Sequence, residues 1–217
     1  MKHYIFDLDG TLLNTLPDIA ARVNEMLAHF SYPPISTEAV RSYIGDGAEK
    51  LVERAIPKGA KNLGECYAYF RENFVKSGER TSLFEGEEEA LRRFLRKGYL
   101  LAIVTNKPQD ATEALIKKFF PEIPFAFVGG DSGLFPCKPD PTLARYAALT
   151  MRVSLSECLF VGDGETDAKT AHAAGMRHVA VLWGYRTKEQ LSAAGATVFA
   201  RTFSELEKIL ENEEKFS

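Results

Sequence analysis

The sequence predicts an α/β fold: a Rossmann-like parallel-sheet core domain with a helical cap inserted after the first strand. Three observations carry this. The chain opens on a short apolar strand, Tyr4-Ile5-Phe6, that runs into acidic residues. The stretch from Asn14 to about Ser82 then reads as helical throughout. From residue 87 onward strands and helices alternate, the pattern of a parallel sheet joined by right-handed crossovers. The expected boundaries are residues 1–13 and 83–217 for the catalytic core and 14–82 for the cap.

Each element has its own signal. Residues 17–30 place Ile19, Val23, Met26, Leu27 and Phe30 at helical spacing behind Pro17, which suits a first helical turn. Tyr32-Pro33-Pro34 ends that helix. A short helix opens at Ser36-Thr37-Glu38 and runs to about Tyr43, Gly45-Asp46-Gly47 turns the chain, and a third helix carries Leu51, Val52 and Ala55. A fourth covers roughly 61–76, with Tyr67, Phe70 and Phe74 on one face, and no strand is expected in this stretch. In the core, helix 87–97 stops at Gly98, and Tyr99 to Val104 is a continuous apolar run, as in a strand buried on both faces. Helix 109–119, strand 125–128, helix 140–150, strand 158–162 and helix 165–174 follow. Strand 178–182, helix 187–194, strand 197–199 and helix 202–213 complete the pattern, with Glu211 to Ser217 as a frayed tail.

The 217 residues suit one large domain or one domain with an insert, and a hydrophobic content of 45% supports a real core. A net charge of −3 and a pI near 5.9 point to neither a nucleic-acid nor a membrane partner. No uninterrupted apolar stretch approaches the ~18 residues of a membrane helix, and the N-terminal strand reads as neither a signal nor a transit peptide. Cys66, Cys137 and Cys158 fit no disulfide framework and no zinc spacing; they are expected as buried free thiols in a reducing cytoplasm. His3, His29, His172 and His178 sit at no ligand spacing and are expected in structural or surface roles. No residue pattern specifies an oligomeric state.

In an open α/β sheet, ligands bind beyond the carboxyl ends of the strands. Polar residues collect there in this chain: Asp7, Asp9, Gly10 and Thr11 after the first strand, and Thr105, Asn106 and Lys107 after Val104. Gly129-Gly130-Asp131-Ser132 leads to Lys138-Pro139, and Gly162-Asp163-Gly164 leads to Asp167. Asp7 and Asp9 face the same side of an extended backbone and repel by ~1 kcal/mol in water, several times more in a partly desolvated cleft, so a cation is expected to join them. The chemistry that uses such a set is phosphoryl transfer. One carboxylate attacks phosphorus, and a second protonates the leaving alcohol and then activates water. Thr105 and the backbone of Asn106 can donate to phosphoryl oxygens, and Lys138 can neutralise charge. Asp163 can complete an oxygen-rich Mg²⁺ site, and Asp167 can orient a bound water or Lys138. Each segment also has a plainer reading. Asp-Gly and Gly-Thr form turns, Thr105-Asn106 can cap a helix, Lys138-Pro139 can be an exposed loop, and Gly162-Asp163-Gly164 can be a strand-to-helix turn. Four coincidences in this order at successive strand ends would be needed to sustain them all.

With these residues in hand, the chain resembles the haloacid-dehalogenase superfamily of phosphatases over nearly its whole length. Asp7-Leu8-Asp9-Gly10-Thr11, Thr105-Asn106, Lys138-Pro139 and Gly162-Asp163-Gly164 with Asp167 match its four motifs in order and spacing. The resemblance implies Asp7 as nucleophile and Asp9 as general acid/base. It implies Mg²⁺ held by Asp7, the backbone carbonyl of Asp9 and Asp163, and phosphate held by Thr105 and Lys138. Ile44-Gly45-Asp46-Gly47-Ala48, Val104-Thr105-Asn106-Lys107-Pro108, Gly129-Gly130-Asp131-Ser132 and Leu182-Trp183-Gly184-Tyr185 are similar to the phosphoglycolate-phosphatase-like branch, from which Phe135-Pro136-Cys137 and Arg186 depart. The expected partner is therefore a small phosphorylated metabolite. Within the cap, Gly45 and Gly47 precede a helix whose N–H groups can meet a small anion, although the segment can equally be an interhelical turn. Arg41 and Lys50 are candidates for substrate contact there, with Thr11 and Asp167 supporting the core site. A sugar phosphomutase is the alternative enzyme; a phospho-acceptor domain or an inactive binding module are the non-enzymatic ones.

Overall fold

Alternate residues of the first strand serve opposite faces of one sheet, as an apolar Tyr-Ile-Phe run must when both faces are covered. In the computed structural model, which describes residues 3–74 and 78–211, β1 (His3–Phe6) sends Tyr4 and Phe6 into one apolar cluster and Ile5 into another. Beyond a turn at Gly10, β2 (Leu13–Asn14) leads into four helices: α1 (Leu16–His29), α2 (Thr37–Tyr43), α3 (Ala48–Ala55) and α4 (Leu63–Phe74). β3 (Ser82–Leu83) returns antiparallel to β2, pairing Leu13 with Leu83 and Asn14 with Ser82. The expectation of no strand in 14–82 is thus corrected at both ends of the insert; a ribbon two residues long is too short to show alternation in a sequence. Buried Asp18, in the first turn of α1, staples the same junction by accepting from the Arg80 N–H and the Thr81 hydroxyl. The helices have a core of their own, in which Val23, Met26, Val40, Leu51, Val52 and Phe70 are buried together.

The chain then winds the main sheet. α5 (Glu87–Arg96), β4 (Leu101–Pro108), α6 (Gln109–Phe119), β5 (Phe127–Asp131) and α7 (Thr142–Met151) come first. β6 (Cys158–Gly162), α8 (Glu165–Ala174), β7 (Arg177–Val181), α9 (Lys188–Ala193), β8 (Phe199–Ala200) and α10 (Phe203–Glu211) follow. The six strands stand in the order β5-β4-β1-β6-β7-β8, all parallel, which is doubly wound Rossmann order. Tyr4, Phe6, Ile103 and Val161 pack against Phe94 of α5, Leu115 of α6 and Leu206 of α10; Ile5, Val104 and Phe160 pack against Ala147 of α7 and Ala171 of α8. The winding reverses at β1, so the carboxyl ends of β1, β4 and β6 open on one crevice.

Several boundaries differ from the sequence reading. β4 runs on to Pro108, so Thr105, Asn106 and Lys107 are strand residues and not a loop beyond it. Its neighbour extends in step: β5 spans Phe127–Asp131 and takes in Gly129 and Gly130. A Cβ on Gly130 would lie 2.6 Å from the Lys107 carbonyl oxygen, which explains a glycine in that strand. A short 3₁₀ turn at Leu155–Glu157 precedes β6. The ends of helices 61–76 and 202–213, and the 211–217 tail, extend outside the described residues. Cys66 and Cys158 are buried free thiols, whereas Cys137 is only half-buried. His3 accepts the Leu100 N–H on Nδ1, and His29 stacks on Tyr69. The ring nitrogens of His178 in β7 are buried without partners, and burial, then the charge of Lys138, lower its pKa to about 4. Among the described residues no helix is long and apolar enough to cross a membrane.

Glu87 is the outlying buried acid. It is 1% exposed; Oε2 accepts the Phe84 N–H at 3.2 Å, Oε1 has no partner, and burial pushes the carboxyl up to about 9. Folding therefore favours the protonated form. That stability is fully present below the ordinary value of 4.5 and is lost as pH rises through about 9. Glu87→Gln removes the ionisation, so its stability relative to wild type should improve from pH 5 to pH 8 by about 1–3 kcal/mol. Urea denaturation at the two pH values measures this.

Candidate active site

The loop that leaves β1 is built to approach another backbone closely. The Leu8 carbonyl accepts the N–H groups of Thr11, Leu12 and Leu13, and Gly10 adopts φ +83°. A Cβ on Gly10 would lie 2.3 Å from Oδ2 of Asp163, at the end of β6. Gly184 approaches from the other side, where a Cβ would lie 2.2 Å from the Asp163 Cβ. Only glycine admits two backbones this close to one carboxylate. Asp163 is then aimed by two donors: the Thr11 hydroxyl to Oδ1 at 3.0 Å and the Tyr185 N–H to Oδ2 at 2.7 Å.

Asp7 faces Lys138, whose side chain is 1% exposed. Its Nζ lies 2.9 Å from Asp7 Oδ1 and 2.6 Å from Asp167 Oδ1. Asp167 accepts the Gly164 N–H on its other oxygen at 2.9 Å. Burial pulls the Lys138 pKa down, but Asp167 and Asp7 outweigh it and hold the ammonium above its ordinary value. Burial pushes Asp7 up to about 6, with Lys138 opposing and Asp167 and Asp9 adding to the rise. Burial pushes Asp163 up to about 8, helped by the charges of Asp7 and Asp167 and opposed by Tyr185 N–H and Thr11. The expectation for Asn106 concerns its backbone; its side chain frames Lys138, with Oδ1 accepting the Lys138 N–H at 2.7 Å and Nδ2 donating to the Lys138 and Gly45 carbonyls at 2.9 Å. Thr105 is buried beside it and faces the cavity between core and cap.

Asp9 has a different environment. The Thr15 hydroxyl donates to Oδ1 at 2.6 Å, and Lys107 Nζ lies 3.0 and 3.2 Å from the two oxygens. Lys107 is buried and sits 4.2 Å from the centre of the Phe74 ring. Tyr185 completes the corner. Its hydroxyl accepts the N–H groups of Thr15 and Leu16, both at 2.9 Å, and so caps α1, which has no cap from its own Thr15 side chain. Both residues stood inside segments visible in the sequence, but nothing there assigned either of them a partner.

The cap candidates divide. Gly45 and Gly47 line the cavity, and Asp46 turns away to pair with Arg54. Arg41 does not reach the cavity: Nε donates to the Tyr185 carbonyl at 3.0 Å and Nη2 to the Gly184 carbonyl at 3.3 Å, because α2 presents it to a core loop. Lys50 is exposed on α3 and pairs with Glu53 at 2.7 Å. Arg186 answers Arg41, donating to Glu165 at 2.8 Å, to the Arg41 carbonyl at 3.0 Å and to the Ile44 carbonyl. Elsewhere between cap and core, Arg71 of α4 pairs with both carboxylate oxygens of Asp110 at 3.2 Å. The space enclosed is about 60 Å³, with Asp7, Asp9 and Lys107 on its core side and Leu51, Phe70 and Phe74 on its cap side.

Carboxylate oxygens of Asp7, Asp163 and Asp167 lie within 4.8 Å of one another. Asp167 is tied to the Lys138 ammonium and the Gly164 N–H, whereas Asp163 meets the neutral Thr11 hydroxyl and Tyr185 N–H and Asp7 keeps Oδ2 open among the described residues, which makes Asp7 and Asp163 the natural donors. Two acids raised by burial and by neighbouring carboxylates, offering only oxygen, suit a hard divalent cation.

A family model described as haloacid dehalogenase-like hydrolase matches residues 4–181. The chain belongs to the haloacid dehalogenase-like hydrolases. This hydrolase is 38% identical over 193 residues to a phosphoglycolate phosphatase of Cereibacter sphaeroides, covering 86% of the chain and 87% of the relative. It is 33% identical over 218 residues to a phosphoglycolate phosphatase of Haemophilus influenzae, covering 94% and 96%. It superposes with a TM-score of 0.90 on the crystal structure of an inferred phosphoglycolate phosphatase from Lactobacillus delbrueckii subsp. bulgaricus, at 26% identity over 96% of this chain and 98% of that one. The motif resemblance and the parallel-sheet fold with its helical cap agree with these relatives.

Tyr185→Phe strips the acceptor from two main-chain N–H groups at the start of α1. Thermal or urea unfolding should report a loss of about 1–2 kcal/mol.

Proposed function

We propose that this hydrolase is a Mg²⁺-dependent phosphatase that cleaves a small phosphate monoester, phosphoglycolate or a close analogue, through an aspartyl-phosphate on Asp7. The observation that carries the reading is a buried ammonium, Lys138, held between Asp167 and Asp7, of which Asp7 lines a small cavity between core and cap. A phosphoryl group beside Asp7 would meet that charge, together with Thr105. The names of the relatives support the substrate class.

Asp7 Oδ1 is held by the Leu8 N–H at 2.7 Å and by Lys138, which leaves Oδ2 to attack phosphorus. As that bond forms, the bond from phosphorus to the leaving oxygen breaks, and Asp9 gives its proton to the departing alcohol. Asp9, ionised again, takes a proton from water, which attacks the phospho-Asp7 phosphorus and frees both phosphate and carboxylate. Thr15 and Lys107 keep Asp9 in one orientation through both halves. The cap keeps bulk water from the cavity. Asp7, Asp163 and the Asp9 carbonyl would hold Mg²⁺, which when bound screens the repulsion between the carboxylates and the phosphate dianion.

Asp7→Asn should lower phosphate release by about 10⁴-fold or more while the melting transition is kept. Full activity in that variant would overturn the covalent route. Asp9→Asn should slow turnover by about 10²–10⁴-fold. EDTA should silence the wild-type protein and added Mg²⁺ restore it; activity that survives exhaustive chelation would remove the metal from the scheme.

A further inference from the structure

We propose that Lys107 determines substrate specificity: its ammonium receives a carboxylate borne on the carbon next to the leaving oxygen. This rests on the phosphatase reading above and names the group that recognises the non-reacting end of the substrate.

The other basic residues near the cavity are committed elsewhere. Arg41 and Arg186 are spread over main-chain carbonyls and Glu165, and Lys50 and Arg54 pair with Glu53 and Asp46 on the surface. Lys138 lies between Asp7 and Asp167. Lys107 lines the cavity with a side chain 1% exposed, and its contacts are the two Asp9 oxygens and the Phe74 ring. An ammonium carries three N–H donors. Asp9 can take two of them, and the third has no oxygen or nitrogen acceptor among these contacts.

The distances suit a two-carbon acid. A general acid must touch the leaving oxygen, and Lys107 touches that acid, so the ammonium lies within roughly 6 Å of the leaving oxygen. A carboxylate on the adjacent carbon places its oxygens roughly 3 Å from the leaving oxygen, and a charge-assisted hydrogen bond of about 2.8 Å spans the remainder. The cap side of the wall sharpens the need for this contact. Leu51, Phe70 and Phe74 offer no hydrogen bond, Arg186 on the same wall is already paired with Glu165 and two carbonyls, and a carboxylate taken out of water against the apolar side needs a paired cation. The N-terminus of α3, reached through Gly47, opens on the same cavity and adds partial positive charge of the same sign.

The test compares phosphoglycolate with ethyl phosphate, in which a methyl group replaces the carboxylate, on wild type, Lys107→Met and Lys107→Arg with Mg²⁺. Wild type should prefer phosphoglycolate by about 10²-fold or more in kcat/KM, Lys107→Met should reduce that ratio at least tenfold, and Lys107→Arg should retain most of it. If Lys107 acts only through Asp9, both substrates fall equally in Lys107→Met and the ratio stands; that result overturns the proposal. Equal use of the two substrates by wild type also overturns it while leaving the phosphatase reading intact. Hydrolysis of neither substrate by wild type would bring down both.

Discussion

Negative charge crowded at the reversal point of the sheet is the constraint on which this structure turns. Asp7, Asp163 and Asp167 bring oxygens within 4.8 Å of one another, with Asp9 close enough to raise Asp7 further. Such a cluster folds only if donors and cations are built around it in advance. The response is distributed. Lys138 enters from the loop after β5, the Thr11 hydroxyl and Tyr185 N–H aim Asp163, and the Gly164 N–H holds Asp167. Two glycines exist so that these donors can approach at all.

The two buried lysines divide this work. Lys138 answers Asp7 and Asp167, and Lys107 answers Asp9. The separation lets neighbouring carboxylates live in different electrostatic surroundings, as the proposed division into one nucleophile and one proton carrier would require. Asn106 ties the arrangement to the helical layer, since one side chain holds both the Lys138 backbone and the Gly45 carbonyl.

Much of the architecture was legible because its signals are local. The alternation of apolar runs and helical spacing located the sheet, and the order of the polar segments located its reactive edge. The residues that the sequence could not assign act over long separations. Lys107 meets Asp9 across 98 positions and Tyr185 meets Thr15 across 170, and no spacing rule links such pairs. Arg41 and Lys50 sit away from the cavity for a related reason. Positive charge near a glycine turn suggests anion binding, but helix rotation decides whether the side chain faces the cavity, a neighbouring carbonyl or solvent. The ribbon of β2 and β3 was missed because two residues carry no period.

The paired arginines have an evolutionary consequence. Arg41 grips the carbonyls of Gly184 and Tyr185, and Arg186 grips those of Arg41 and Ile44. Main-chain oxygens are the same whatever side chain their residue bears. Mutations at Ile44, or on the cavity wall nearby, can therefore reshape the chamber while the two layers stay seated in the same pose. A lineage carrying this clasp is free to trade one phosphorylated compound for another without first rebuilding the joint between its halves.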